Sequence, residues 1–342
     1  MRTTVTTATP ATTTDAVAPA ARPTRSRVPG RLVPVLATLV LFVLMFGAGA
    51  ARYENFGTPQ TIVNLLIDNS FLVVLAVGMT FVILTGGIDL SVGSVVALST
   101  MVAAWGLQQG VPAPLLLVGI LVLGTAFGLL QGFVIQRFDI QPFIVTLAGM
   151  FLARGLSLLI SDESISIDDD TFQAIASGSI TLPGEVYVTY SVLIALAVLA
   201  VAAYVLHRTR FGRTVYALGG NEQSATLMGL STARTKIGVY GISGFCASLA
   251  GLLFSFYMLS GYGLHAVGME LDAIAAVVIG GTLLAGGAGY VVGSLLGVLV
   301  LGTIQTLISF DGTLSSWWTK IFIGALLLAF IVLQRAALRR RG

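Results

Sequence analysis

Ten apolar runs, separated by short polar stretches, restrict this chain to one kind of architecture. The runs are 32–51, 62–85, 91–106, 113–135, 142–160, 189–206, 237–258, 271–285, 288–308 and 317–334. About 20 residues at ~1.5 Å each span the hydrocarbon core of a bilayer. Hydrocarbon offers the backbone no hydrogen-bond partner, so runs of this length fold as helices. The fold class read from the sequence is an all-α, polytopic integral membrane protein of about ten transmembrane helices. Composition agrees, since 56% of residues are hydrophobic and 10% are charged, against about 25% charged in a soluble domain.

The basic residues orient the runs. With the N-terminus inside, the inner side holds Arg2, Arg22, Arg25, Arg27, Arg31 and Arg137. It also holds Arg208, Arg210, Arg213, Arg234, Lys236, Arg335, Arg339, Arg340 and Arg341. The outer side holds only Arg52, and the loop 161–188 there carries six acids and no base. Such a bias follows the rule that basic loops stay cytoplasmic. Ten spans with both termini inside satisfy every loop, whereas nine or eleven would place a basic cluster outside. The net charge of +3 therefore reads as membrane anchoring, with lipid as the partner and no nucleic acid.

These boundaries divide the chain into a cytoplasmic tail, 1–31, a membrane body, 32–335, and a short basic tail, 336–342. The first tail is rich in Thr, Ala and Pro and is expected to be disordered. A cleaved signal peptide ending near Ala48-Gly49-Ala50 is the rival reading, and span parity favours keeping the first run. Within the body, 207–236 is a cytoplasmic loop and 161–188 an acidic outer loop.

Two runs, 91–106 and 271–285, are short, and each adjoins a Gly-Gly pair. Short or Gly-interrupted segments are where transporter folds place discontinuous helices. Gly86-Gly87-x4-Val92-Gly93-Ser94 and Gly286-Gly287-x4-Val292-Gly293-Ser294 share one spacing, 200 residues apart. Both are expected as inner-face turns. Chance in a Gly- and Val-rich chain is the bland account, and small residues permit close helix packing in either case. Asp89, in the first of these turns, is expected to cap a helix starting at Leu90.

No catalytic constellation appears. His207 and His265 fall on opposite sides, and Cys246 is the one cysteine, placed as a small packing residue. No metal or cofactor set is present, and the Gly-x4-Gly-Lys-Ser/Thr phosphate loop is missing, so any ATP hydrolysis belongs to another chain.

Polar groups inside spans are functional candidates, because each is costly when it faces lipid. Asn64, Gln131 and Gln305 are the candidates for a translocation path or interface. Arg154 needs a counter-charge, and Asp272 or Glu270 lies at similar depth; a structural Arg154–Asp272 pair is the expectation. Trp317 and Trp318 fit an aromatic belt, with sugar stacking as the sharper alternative. In the 207–236 loop, Asn221 is an N-cap for a short helix from Glu222 to about Met228, which Gly229 ends. Such a helix could dock into a partner or simply order the loop.

Val82-Ile-Leu-Thr-Gly-Gly-Ile-Asp-Leu-Ser-Val-Gly-Ser94 resembles the permease subunits of bacterial ribose-type sugar ABC importers. Ile144-Val-Thr-Leu-Ala-Gly-Met-Phe-Leu-Ala-Arg-Gly155 fits the same family. Ala217-Leu-Gly-Gly-Asn-Glu222 through Leu227-Met-Gly229 is similar to its ATPase-docking segment. Ser161 to Ile167 and Phe310 to Lys320 look most like the second permease of the galactofuranose importer. The resemblance spans about 55–335 and leaves out the tails. It implies a subunit of a sugar importer in the bacterial cytoplasmic membrane, with ABC ATPase subunits, an extracytoplasmic sugar-binding protein and a second permease as partners. Gly219, Gly220, Asn221, Glu222 and Gly229 would then form the ATPase-coupling loop. An ion-coupled secondary transporter is the alternative. It would want a titratable acid near the midplane, and Asp68 lies too near one end.

Overall fold

The structure is a computed structural model, and it describes residues 33–315 and 317–339. The tail 1–31 and the end of the basic cluster at 340–342 lie outside the described residues. Fourteen helices and four short strands make up the described chain. The first is α1 (Val33–Arg52), followed by α2 (Pro59–Asp68), α3 (Ser70–Leu84), α4 (Val92–Gln108), α5 (Ala113–Phe138) and α6 (Pro142–Ile160). Between α6 and α8 (Tyr190–Arg208) come β1 (Ile165–Ser166), α7 (Asp170–Ser177), β2 (Ser179–Leu182) and β3 (Val186–Thr189). Then follow α9 (Arg210–Gly220), α10 (Glu222–Leu227), α11 (Thr232–Met258), β4 (Ser260–Gly261), α12 (Met269–Ile279), α13 (Val291–Asp311) and α14 (Trp317–Arg339).

Seven of these helices are long and apolar enough to cross a membrane, and the pair α2–α3 makes an eighth crossing if taken together. The expected span 62–85 is thus not one helix. It bends by 61° between α2 and α3. Asn69 sits at the break with φ −123° and ψ 14°, and its Nδ2 donates to the carbonyl of Leu65 at 3.0 Å. Ser70 donates to Ile67 in the same turn, so two side chains replace backbone bonds that the bend removes. The expected spans at 91–106 and 271–285 are α4, of 17 residues, and α12, of 11.

The bundle is built around α3, all of whose residues are buried. α11 lies against α3, α4 and α5, and its contact with α5 is the most extensive in the bundle. Gly124, Gly128 and Gly132 recur every fourth residue on α5 and face Tyr240, Gly244 and Ser248 of α11. A methyl on Gly132 would stand 2.9 Å from the Cα of Ile237, so only glycine permits the approach. This is the small-residue packing that lets helices associate where the hydrophobic effect gives no drive. α1, α6 and α14 lie outermost, with large apolar side chains such as Leu44, Phe151 and Leu328 exposed to what would be lipid.

Residues 260–268 enter the bundle without helical structure. Gly261 packs on Ala104 of α4, while the carbonyl of Ala266 approaches Gly93, eleven residues back along the same helix. At ~1.5 Å per residue the segment therefore descends about 16 Å. Leu259, in the left-handed region at φ +47°, ends α11 and turns the chain into it. β4 is covered by β1 in antiparallel register, with Ile165 opposite Gly261 and Ser166 opposite Ser260. α12 begins only where this descent stops, at Gly268 with φ +83°.

Candidate functional site

Two places in the bundle concentrate polar and backbone groups, one at each end. At the end carrying residues 161–188, a cavity of about 780 Å³ opens between α2, α12, α13 and α14. Asn64, Asp68, Asp272, Gln305, Trp317 and Lys320 are among its lining residues. Two of the three expected path residues, Asn64 and Gln305, thus meet in one cavity. Asn64 is set by its neighbour Gln60, whose Nε2 donates to the Asn64 Oδ1 at 2.7 Å. Gln60 in turn accepts the amide of Tyr187 at 3.0 Å, so the β2–β3 hairpin fixes an amide of the cavity wall.

Asp272 faces the same cavity, and its partner is not Arg154. The Lys320 Nζ donates to both Asp272 oxygens, at 2.8 and 2.6 Å. Arg154 instead donates from Nη1 to the carbonyls of Gly263 and His265, each at 2.7 Å. The expected Arg154–Asp272 pair is corrected by the descending segment. Non-helical backbone inside a membrane protein needs partners for its carbonyls, and the guanidinium on α6 supplies them. Glu270, the other acid considered, makes no hydrogen bond through Oε2. Lys320 escaped the sequence reading because nothing in the spacing of 272 and 320 marks them as neighbours.

Gln131 lies elsewhere. It is buried in α5, where its side-chain amide lies 3.2 Å from the hydroxyl oxygen of Ser91. Ser91 belongs to the turn after α3, and both its amide and its hydroxyl donate to Asp89 Oδ1, at 3.0 and 2.7 Å. The other carboxylate oxygen accepts from Ser243 of α11 at 2.7 Å. The expected Asp89 cap for a helix at Leu90 is corrected, because α4 starts at Val92 and Ser91 is its N-cap residue. Asp89 closes a two-residue turn, lets α4 start at Val92, and ties that turn to α11.

At this second end three glycine pairs meet. Gly86 (φ +79°), Gly286 (φ +87°) and Gly287 (φ +76°) take conformations that favour glycine. The Gly287 amide donates to the Leu84 carbonyl at 2.9 Å, so the turns after α3 and after α12 are bonded to each other. The matching Gly-Gly-x4-Val-Gly-Ser stretches are thus spatial neighbours. Gly219, near the end of α9, packs over this bond. A methyl there would overlap the Leu84 carbonyl oxygen and stand 2.5 Å from the Gly287 amide nitrogen. Gly220 has open space instead. Beyond it Asn221 accepts the Ser224 amide at 2.7 Å, which starts α10 as expected, and Gly229 (φ +76°) follows its end. Lys236 pairs with Glu222 at 2.6 Å and braces α10 against α11. Leu227 and Met228 stand out at 89% and 68% exposure, an apolar tip on a polar loop.

α9 itself was not visible in the sequence. Thr209 caps it by accepting the Gly212 amide at 3.1 Å, and Tyr216 on it donates to the Gly289 carbonyl at 2.8 Å. Burial, with Tyr290 nearby, pushes the Tyr216 hydroxyl up to about 12, so it remains a donor at any physiological pH. His207 stacks on Tyr290 at 5.6 Å between ring centres. The 280–290 turn is held to α8 and α9 by these contacts and by the glycine packing.

A multi-helix body with a discontinuous helix, a polar cavity at one end and a helical loop gripping paired turns at the other defines a membrane permease. The chain belongs to the family described as branched-chain amino acid transport system / permease component, which matches residues 61–331. It is 50% identical to the inner membrane ABC transporter permease protein YjfF of Escherichia coli (strain K12), over 89% of this chain and 92% of that protein. It is 42% identical to the fructose import permease protein FruG of Bifidobacterium longum (strain NCC 2705), over 91% and 93%. Identity to the ribose import permease protein RbsC of Escherichia coli (strain K12) is 38%, over 86% and 92%. No solved structure matches. The chain is a multi-pass membrane protein and a permease component of a transport system.

Proposed function

We propose that the chain is the membrane-crossing subunit of an ATP-driven importer for a neutral monosaccharide, galactofuranose- or ribose-like, in the bacterial cytoplasmic membrane. The single observation that carries this reading is the cavity in which Asn64 and Gln305 converge with acidic, hydroxyl and aromatic side chains. Amides donate and accept at once, which suits sugar hydroxyls, and Trp317 adds a ring face. The family description mentions amino acids, but FruG and RbsC carry sugar names over nine-tenths of their length, and these relatives favour the sugar.

In this reading the 161–188 end is extracytoplasmic and receives sugar from a binding protein. The 207–236 end is cytoplasmic, with residues 1–31 and 336–342 as tails on that side and 32–335 as the ten-span body. ABC ATPase subunits engage Leu227 and Met228 at the end of α10. Gly219, Gly220, Asn221, Glu222 and Gly229 carry their movement to the turns at Gly86–Gly87 and Gly286–Gly287. A second permease, different or identical, completes the path. ATP hydrolysis belongs to the ATPase chains.

Proteoliposomes containing the permeases and ATPases, with binding protein outside, test this. Sugar uptake should need interior ATP and survive collapse of the proton gradient. Uptake that follows an ion gradient without ATP would overturn the proposal in favour of a secondary transporter.

A further inference from the structure

The charges lining the cavity do not cancel. Lys320 is its one cationic side chain among the described residues, and it is committed to both oxygens of Asp272. Asp68 is left. Its nearest hydrogen-bond donor among the described residues is the Tyr257 hydroxyl, at a long 3.5 Å. Asp68 is also the last residue of α2, at the break before α3. Asp311 is not among the lining residues, and it accepts from Tyr53 at 3.1 Å and from Thr313.

Resting on the sugar-path reading above, we propose that Asp68 makes this cavity a charge filter. It admits neutral polyols and cations and excludes sugar acids and phosphorylated sugars. A carboxylate only accepts hydrogen bonds, so adjacent sugar hydroxyls can both donate to Asp68, and such charge-assisted bonds are the stronger kind. A second carboxylate or a phosphate would offer no donor and would meet a like charge in a partly enclosed space, where screening is weak. Asn64 and Gln305 remain as uncharged partners for the other hydroxyls.

The chain is suited to a direct test, since Cys246 is its one cysteine and is 2% exposed. Ser309→Cys places a thiol on the cavity wall of the assembled importer, and Asn64→Cys serves if that variant does not reach the membrane. Labelling rates are then compared for a cationic and an anionic methanethiosulfonate of similar size. The cationic reagent should be favoured about tenfold beyond its ratio on a free thiol in solution, a plausible size for one nearby unit charge. Adding Asp68→Asn should bring the ratio back to the solution value. A solution-like ratio in the parent thiol variant, or one that Asp68→Asn leaves unchanged, would overturn the filter. If labelling blocks neutral-sugar uptake without charge preference, the path reading stands and the filter fails. Charge-selective labelling that leaves uptake intact would refute both.

Discussion

Gly287 donates its amide to the Leu84 carbonyl across 2.9 Å, joining two turns that lie some 200 residues apart in the chain. Gly219 covers that bond, and its lack of a side chain is what lets α9 come so close. The loop proposed to receive the ATPase therefore touches the end of α3 and the turn between α12 and α13 directly, through backbone.

Gly219→Ala should cost about 1–3 kcal/mol by overpacking and should sever coupling. In proteoliposomes, ATP hydrolysis should persist while sugar uptake falls. Gly220→Ala, whose added methyl meets open space, should transport normally. Equal behaviour of the two variants would show that the packing over Leu84 does not matter.

Arg154→Met should lower folded yield, because two partly buried carbonyls lose their donor, at about 1 kcal/mol or more each. Thermal denaturation of the detergent-solubilised protein measures this, and an unchanged midpoint would remove Arg154 from its proposed structural role.

Lys320 and Asp272 give a different expectation. The lysine side chain is 52% exposed, so the pair is worth at most about 1 kcal/mol. Lys320→Met should leave stability nearly intact yet add negative charge to the cavity. In the labelling experiment it should raise the preference for the cationic reagent, whereas Asp272→Asn should lower it.

Leu227→Asp with Met228→Asp should abolish co-purification of the ATPase subunits without changing the yield of the permease. Both side chains are exposed and support nothing within the fold. Retained co-purification would move the docking surface elsewhere on the 207–236 loop.

Much of this architecture was legible because bilayer length is a strict ruler. Seven of the ten apolar runs hold helices long enough to cross a membrane, while α4 and α12 fall short of that length; the Asn221 cap with the Gly229 stop followed from local chemistry. Runs of hydrophobicity could not show the bend at Asn69, since α2 and α3 are both apolar enough to read as one span. The destination of Arg154 was hidden for another reason. Its partners are backbone carbonyls, which every residue possesses and no sequence pattern marks. Gln131 was misplaced because a polar residue in a span signals cost without signalling depth. It joins Ser91 and Asp89 rather than Asn64 and Gln305. The glycine repeat, by contrast, is readable as a pattern, while the contact between its two copies arises only in the folded bundle.

The clamp on residues 260–268 also imposes an order of events on biogenesis. Gly263 and His265 follow Arg154 by 109 and 111 residues, so α6 is made long before the carbonyls that satisfy it. Until then a newly inserted α6 holds a charged group among apolar neighbours, a costly state in a bilayer. Arg154, six residues from the end of α6, is therefore expected to reach for the interface until α11 and the descending segment arrive.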